Sequence, residues 1–303
     1  MSEWIHIDFL DSQRLLYIGV DIAIALVLIL MLRFLSGWVS HVKSIQEIAI
    51  KDNFAFGISL AGGILALIVM LTGVVTENTA QTLGLQIRIF AGYGLLGVGL
   101  IKIGRSIQDL LVLRGVSIQE EIIKGNMAAA IVDVANALVT AMVVRSVMLW
   151  VNIQGLEGLL SVLMIFLGAQ IVIGIMTLWW MKVYHRRHPA AFFTDALKNN
   201  HIALAARYAF HTVGASFALA AAAGIVNFYA ENYLDRFISL IAWIICGIIM
   251  CALISIISRI GRRVILAGVD VADEIDIQNN LAVAAVEGTL YLSIGFYVFS
   301  IFG

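Results

Sequence analysis

Eight stretches of the chain run apolar for about 20 residues or more, near 14–35, 52–76, 84–104, 126–150, 157–182, 202–226, 236–258 and 281–302. A bilayer core about 30 Å thick is crossed by about 20 helical residues, so each stretch is long enough to span it. Strands of a membrane barrel alternate apolar and polar residues, and these runs do not. Composition agrees, with 61% of residues hydrophobic and 13% charged, against about 45–50% and about 25% in soluble domains. The expected fold class is an all-α polytopic membrane protein with eight transmembrane helices. The net charge of −1 leaves no basic character for nucleic acid.

Basic residues gather after the odd-numbered runs, among them Lys43, Lys51, Lys124, Arg186, Arg187 and Arg263. The opposite ends hold only Arg14, Arg88, Arg145 and Arg236. An excess of Lys and Arg marks the cytoplasmic side, so both termini are expected outside. Glu3, Asp8 and Asp11 precede Arg14, the reverse of a basic leader, and no signal peptide is expected. Trp150, Trp179 and Trp180 are placed at run ends, where interfacial rings sit. Cys246 and Cys251 point to nearly opposite sides of one helix, so no internal disulfide is expected. No gap between runs admits a soluble catalytic domain.

Repetition is the most informative feature. Residues 44–53 read SIQEIAIKDN and residues 117–126 read SIQEEIIKGN. Each leads into a span through small residues, Asn53-x-Ala55-x-Gly57 and Asn126-x-Ala128-x-Ala130. The second half repeats this as His201-x-Ala203-x-Ala205 and Asn280-x-Ala282-x-Ala284. An acidic residue stands six positions before each entry: Glu47, Glu120, Asp195 and Glu274. Lys102-Ile103-Gly104-Arg105 after the third run matches Arg259-Ile260-Gly261-Arg262 after the seventh. The chain therefore reads as a two-span hairpin used four times, or as two parallel four-helix membrane repeats at 1–150 and 151–303. On parallel repeats, one tandem chain stands in for a dimer of four-span units.

The pattern of an acidic residue, a spacer, Asn-x-Ala-x-Ala and a four-span unit resembles the YjfL-like bacterial inner-membrane family labelled "domain of unknown function 350". The resemblance covers nearly the whole chain as two tandem copies, with His201 making the third hairpin the most divergent. It implies a multi-pass protein of the bacterial cytoplasmic membrane. It also implies relatives encoded near envelope-stress, polyamine-synthase-like or ion-channel-like proteins.

Asn53, Asn126, His201 and Asn280 suit the cap of a first helical turn, whose amides lack partners. The acidic residues suit the anchor of an interfacial helix with Ile45, Ile48 and Ala49 on its apolar side. The alternative is that the four entries ring a cytoplasmic mouth and touch a solute.

Ionisable groups at membrane depth are costly and mark functional sites by default. Asp133 and Glu287 each lie seven residues past an entry asparagine, about 10 Å inside the boundary. Leu60 and Tyr208 hold that level in the other hairpins. Asp133, Asn136 and Thr140 share one helix face, and Arg207 and His211 share another beside Tyr208. Arg207 is expected to pair with Asp133 or Glu287, or to extend toward headgroups. Asp21 lies in the outer half of the first span, with Gln170 as its counterpart.

Two readings follow. In the first, Asp133, Glu287, Arg207, His211, Asp21, Asn136 and Tyr208 line a proton or small-cation path, with carboxyls raised by burial and a histidine relay. In the second, these groups fix helix packing in a non-transporting scaffold or envelope-stress component. A water-wide cavity reaching both carboxyls supports the first; a sealed core with both satisfied supports the second. Neither a protease constellation nor a metal motif is found, so no enzyme, cofactor or metal is expected. The His185–His188 segment reads as a basic loop against anionic lipid, with a metal site from His185 and His188 as the lesser alternative. Asp270, Asp273, Glu274 and Asp276 read as a solvated acidic loop, with a docking surface or cation vestibule as the alternative. Gly92, Gly94, Gly97 and Gly99 read as close-packing positions. Partners expected are the bilayer and either further copies of the chain or other membrane and peripheral proteins.

Overall fold

The computed structural model describes residues 12–39, 42–75, 82–109, 113, 115–151, 156–189, 191–229 and 231–303. Glu3, Asp8, Asp11 and Arg114 lie outside them. The described residues form α1 (Ser12–Val39), α2 (Phe54–Val75), α3 (Leu83–Ile107), α4 (Ile118–Ile123), α5 (Met127–Val151), α6 (Leu156–Arg187), α7 (Phe193–Lys198), α8 (Ile202–Ile225), α9 (Tyr233–Ile265), α10 (Val271–Asp276) and α11 (Leu281–Phe302). Eight of these are long and apolar enough to cross a membrane. α6 and α9 run past the expected ends and carry Arg186–Arg187 and Arg262–Arg263 in their last turns, where cations oppose the negative end of the helix dipole. Trp179 and Trp180 are consequently not at a helix end. Trp180 packs edge-on to Phe193 and Tyr208 instead.

Each hairpin turns through a short helical element. Between α1 and α2 it is a π-helical turn, Gln46–Ile50; in the later hairpins it is α4, α7 and α10. One residue in the left-handed region then redirects the chain: Asp52 (φ 49°), Gly125 (φ 85°), Asn200 (φ 56°) and Asn279 (φ 55°). Gly, Asn and Asp tolerate that region best, and the sequence places only those types there. The next residue caps the following helix. Asn53 Oδ1 accepts from the Phe56 amide, Asn126 Oδ1 from Ala129, His201 Nδ1 from Leu204 and Asn280 Oδ1 from Val283.

The even spans α2, α5, α8 and α11 pack side by side in chain order. The odd span of each later hairpin lies on the even span before it, α3 on α2, α6 on α5 and α9 on α8. α5 is central, with its most apolar stretch 72% buried, whereas α11 reaches 28% and α1 only 11%. α1 and α11 thus lie at the edges.

Without a hydrophobic drive between helices in lipid, close approach of small residues supplies much of the packing. A Cβ on Gly62 would overlap Val134, one on Gly288 would overlap Phe210, and one on Gly295 would stand 2.7 Å from the Gly214 carbonyl oxygen. In α3, Gly94 closes on Leu28 and Gly97 on Met70, but Gly92 and Gly99 face open space. Cys246 and Cys251 are free thiols.

Candidate functional site

Two buried charge clusters lie toward the short-helix end of the bundle. Asp133 is 2% exposed. Ser59 Oγ of α2 donates to its Oδ2 at 2.5 Å. Arg105 of α3, also buried, sets Nε 3.2 Å from Oδ1. Asn136, one turn on, accepts from the Tyr208 hydroxyl at 3.0 Å. Thr140 faces Gln170 Nε2 at 3.4 Å, and Gln170 Oε1 accepts from Gln108 Nε2 at 3.1 Å. Gly104 makes this convergence possible, because a Cβ there would lie 2.5 Å from Thr140 Oγ1. Arg105 Nη2, Gln108 Oε1 and Asn136 Nδ2 are buried without a hydrogen-bond partner.

The second cluster surrounds Glu287, 3% exposed. Arg207 places Nε 2.8 Å from Glu287 Oε2 and donates from Nη2 to Oε1 at 3.0 Å. Arg262 of α9 donates to the same Oε1 at 2.7 Å. The other arm of Arg207 donates to Asp276 Oδ1 at 3.0 Å. Asp276 also meets His188 Nε2 at 3.2 Å, with Arg187 at 4.0 Å. Asp276 therefore belongs to the core rather than to a solvated acidic loop, because it ends α10 where that helix sits over α8. His188 serves the same carboxylate, and His185 Nδ1 lies 3.2 Å from the Ala191 carbonyl oxygen.

The residues expected along one path do not converge on one cavity. Asp133 on α5 and Glu287 on α11 are separated by α8, and each has its own arginine. Asp21 binds Gln86 Nε2 near the start of α3, while Gln170 joins the Asp133 cluster. His211 stacks on Tyr291 with ring centres 4.3 Å apart, its Nε2 unpartnered. It borders a cavity of about 70 Å³ with Tyr208, Thr212, Ser255 and Tyr291, and neither Asp133 nor Glu287 lines it.

The four entries do not form a ring around a mouth. Asn53 Nδ2 donates to the Ile122 and Ile123 carbonyls of α4, and Asn126 Nδ2 to the Leu197 and Lys198 carbonyls of α7. Each thus ties its hairpin to the next. Of the four acidic residues, Glu47 and Glu274 accept from their entry asparagines. Glu120 does not: Asn126 binds its neighbour Glu121. Asp195 is exposed near the start of α7. His201 has no amide to offer, and its Nε2 is buried without a partner. His201→Asn should therefore raise stability by about 1 kcal/mol by giving α10 the missing donor; a lower unfolding midpoint in detergent would count against this account of the entries.

Sequence reasoning overlooked Arg105, Arg262, Asp276, Asp109 and Ser59 as site residues. The match of Lys102–Arg105 with Arg259–Arg262 was the available signal: Arg105 and Arg262 hold equivalent carboxyls. Asp109, just past α3, is pushed up to about 7, chiefly by burial and then by Asp133, with Arg105 opposing. A carboxyl raised on folding contributes stability that is complete below its unfolded value and is lost as pH climbs through about 7. Asp109→Asn should flatten the fall in stability between about pH 4 and pH 7; equal slopes in wild type and variant would refute this.

The sequence model described as Domain of Unknown Function (DUF350) matches residues 9–148 and again 154–302. No curated protein and no solved structure matches.

Proposed function

The chain belongs to the DUF350 family, carrying its domain twice as a multi-pass membrane protein, and on that premise we propose a non-transporting scaffold of the bacterial cytoplasmic membrane. In this reading the short-helix end is cytoplasmic, both termini lie outside, and the protein is not an enzyme. The observation that carries it is the closure of both matched carboxyls: Asp133 and Glu287 are 2% and 3% exposed and held by Arg105, Arg207 and Arg262. A group that shuttles protons or cations needs access and a changeable charge state. Here the oxygens of both carboxyls are already taken, by Arg105 and the Ser59 hydroxyl at Asp133 and by Arg207 and Arg262 at Glu287. The second reading, a proton or small-cation path, draws on the unpartnered Arg105 Nη2, Gln108 Oε1 and Asn136 Nδ2 beside Asp133, polar atoms that water could serve.

Proteoliposomes separate the two. With imposed gradients of protons, sodium, potassium or polyamines, the wild type should leak no faster than empty vesicles. Asp133→Asn with Glu287→Gln should behave the same. Wild-type flux that the double variant abolishes would establish the path and end the scaffold reading.

A further inference from the structure

Outside the two buried clusters, guanidiniums gather again where α6 and α9 end. The chain leaves α9 at Ile265 and turns through residues 266–270 into α10, with Gly268 in the left-handed region at φ 81°. This turn and the end of α6 border a cavity of about 510 Å³. One water takes about 30 Å³, so the space suits a headgroup rather than a trapped water. Arg187, Arg262 and Arg263 line it, and Asp270 is the one carboxylate among the described lining residues. Asp270 Oδ1 accepts the Ala272 and Asp273 amides, which turns its charge into α10.

These guanidiniums have donors to spare. Arg187 Nη1 stands 4.0 Å from Asp276 Oδ2, beyond hydrogen-bond reach. Arg262 spends Nη1 on Glu287 Oε1. Arg263 is exposed, and its side chain has no ion pair among the described residues. The carboxylates behind them, Asp276 and Glu287, are already bridged by Arg207. Positive charge is therefore left over on the cavity wall. The fold does not ask for this surplus. On the pairing of Asp21 with Gln170 and of Lys102–Arg105 with Arg259–Arg262, the first half has Trp38 and Ser106 in place of Arg187 and Arg263. The counterpart of Arg262, Arg105, is buried against Asp133. Yet the first half makes the same turn, with Gly115 at φ 90°.

We propose that this cavity binds a phosphate group, carried by the headgroup of an anionic phospholipid or by a soluble phosphate compound. Guanidiniums fork onto phosphate oxygens with fixed geometry, and here they come from two helix ends around one space. α9 favours the lipid carrier. Ile256 and Ile260 are exposed and share a helix face with Arg263. Acyl chains lying along that face would bring a headgroup to the cavity. The proposal goes beyond the scaffold reading and does not rest on it, since flux or its absence leaves phosphate binding untouched.

The full chain, delipidated in dodecyl maltoside, is titrated with phosphatidylglycerol or phosphatidylcholine and read by native mass spectrometry. Phosphatidylglycerol should bind the more tightly. Arg263→Gln should weaken it about fivefold, and the double change with Arg187→Gln about 25-fold. Arg262 is left intact because it holds Glu287. Arg263→Gln, which breaks no ion pair, should leave melting without lipid unchanged. Arg186→Gln, exposed beside Arg187 but not lining the cavity, should change affinity less than twofold. In a second arm, inorganic phosphate and glycerol 3-phosphate are compared with chloride for their effect on the unfolding midpoint. A rise in the wild type that the double variant loses, with no preference between the two lipids, supports the site and assigns it the soluble carrier. Neither lipid preference nor a rise overturns the proposal. Undiminished affinity in Arg263→Gln overturns it too, as does an equal loss in Arg186→Gln, which would mean diffuse charge rather than a site.

Discussion

Arg207→Met is expected to be the most destabilising single change in the protein, at about 3–5 kcal/mol, the usual cost of removing one partner from a buried ion pair. Arg207 is 5% exposed and bridges Glu287 and Asp276, which are themselves 3% and 7% exposed. Its loss leaves Asp276 with His188 and the distant Arg187, and Glu287 with Arg262 alone. One arginine thus ties α8 to α10 and α11 together, at the edge of the row where fewer contacts can compensate. Arg262→Met should cost less, because that side chain is 28% exposed and water already meets part of its charge. Denaturant titration in detergent, with helicity as readout, compares the two. If Arg207→Met unfolds at the wild-type midpoint, the cluster does not hold α11 in place.

Asp133→Leu is the second large effect, again about 3–5 kcal/mol. It strips the buried Arg105 of its carboxylate and Ser59 of its acceptor. The informative comparison is the double change with Arg105→Met. Replacing both members of a buried pair by apolar residues is often neutral or stabilising, so the double variant should recover most of the loss. A double-mutant cycle would then give a coupling of at least about 2 kcal/mol. Simple additivity would mean that the pair is incidental and that Asp133 answers to some other group. Asp133→Asn, which keeps an acceptor for Ser59, should fall between wild type and Asp133→Leu.

The eight spans were legible because a bilayer imposes one length and one polarity on every crossing segment. The hairpin repeat was legible because its elements are local. A left-handed residue, a cap and a short amphipathic turn lie within about ten residues of one another, and backbone sterics restrict which types fill them. His201 illustrates this: it departs from asparagine, yet a ring nitrogen with a lone pair caps the same amide. The candidate site was legible only as an inventory. Asp133, Glu287 and Arg207 stood out by depth, and Arg207 as a partner for one of the two carboxyls without saying which; the partners Arg105, Arg262 and Asp276 did not stand out. Arg105 and Arg262 looked like matched landmarks of the repeat, and Asp276 like part of a solvated loop.

By itself the sequence determined the solvent, the number of crossings and the fourfold hairpin, since each follows from the polarity and spacing of residues along one strand of chain. Tertiary structure alone decided that Asp133 meets Arg105 and Ser59, that Glu287 meets Arg207 and Arg262, and that α8 stands between the two carboxyls. The physical reason is that depth is written along a helix, one residue every 1.5 Å. Which side chain stands across from it depends on how neighbouring helices are ordered and rotated about their axes. Here that order comes from joints such as Gly62 against Val134 and Asn126 against the α7 carbonyls, contacts between residues some 70 positions apart.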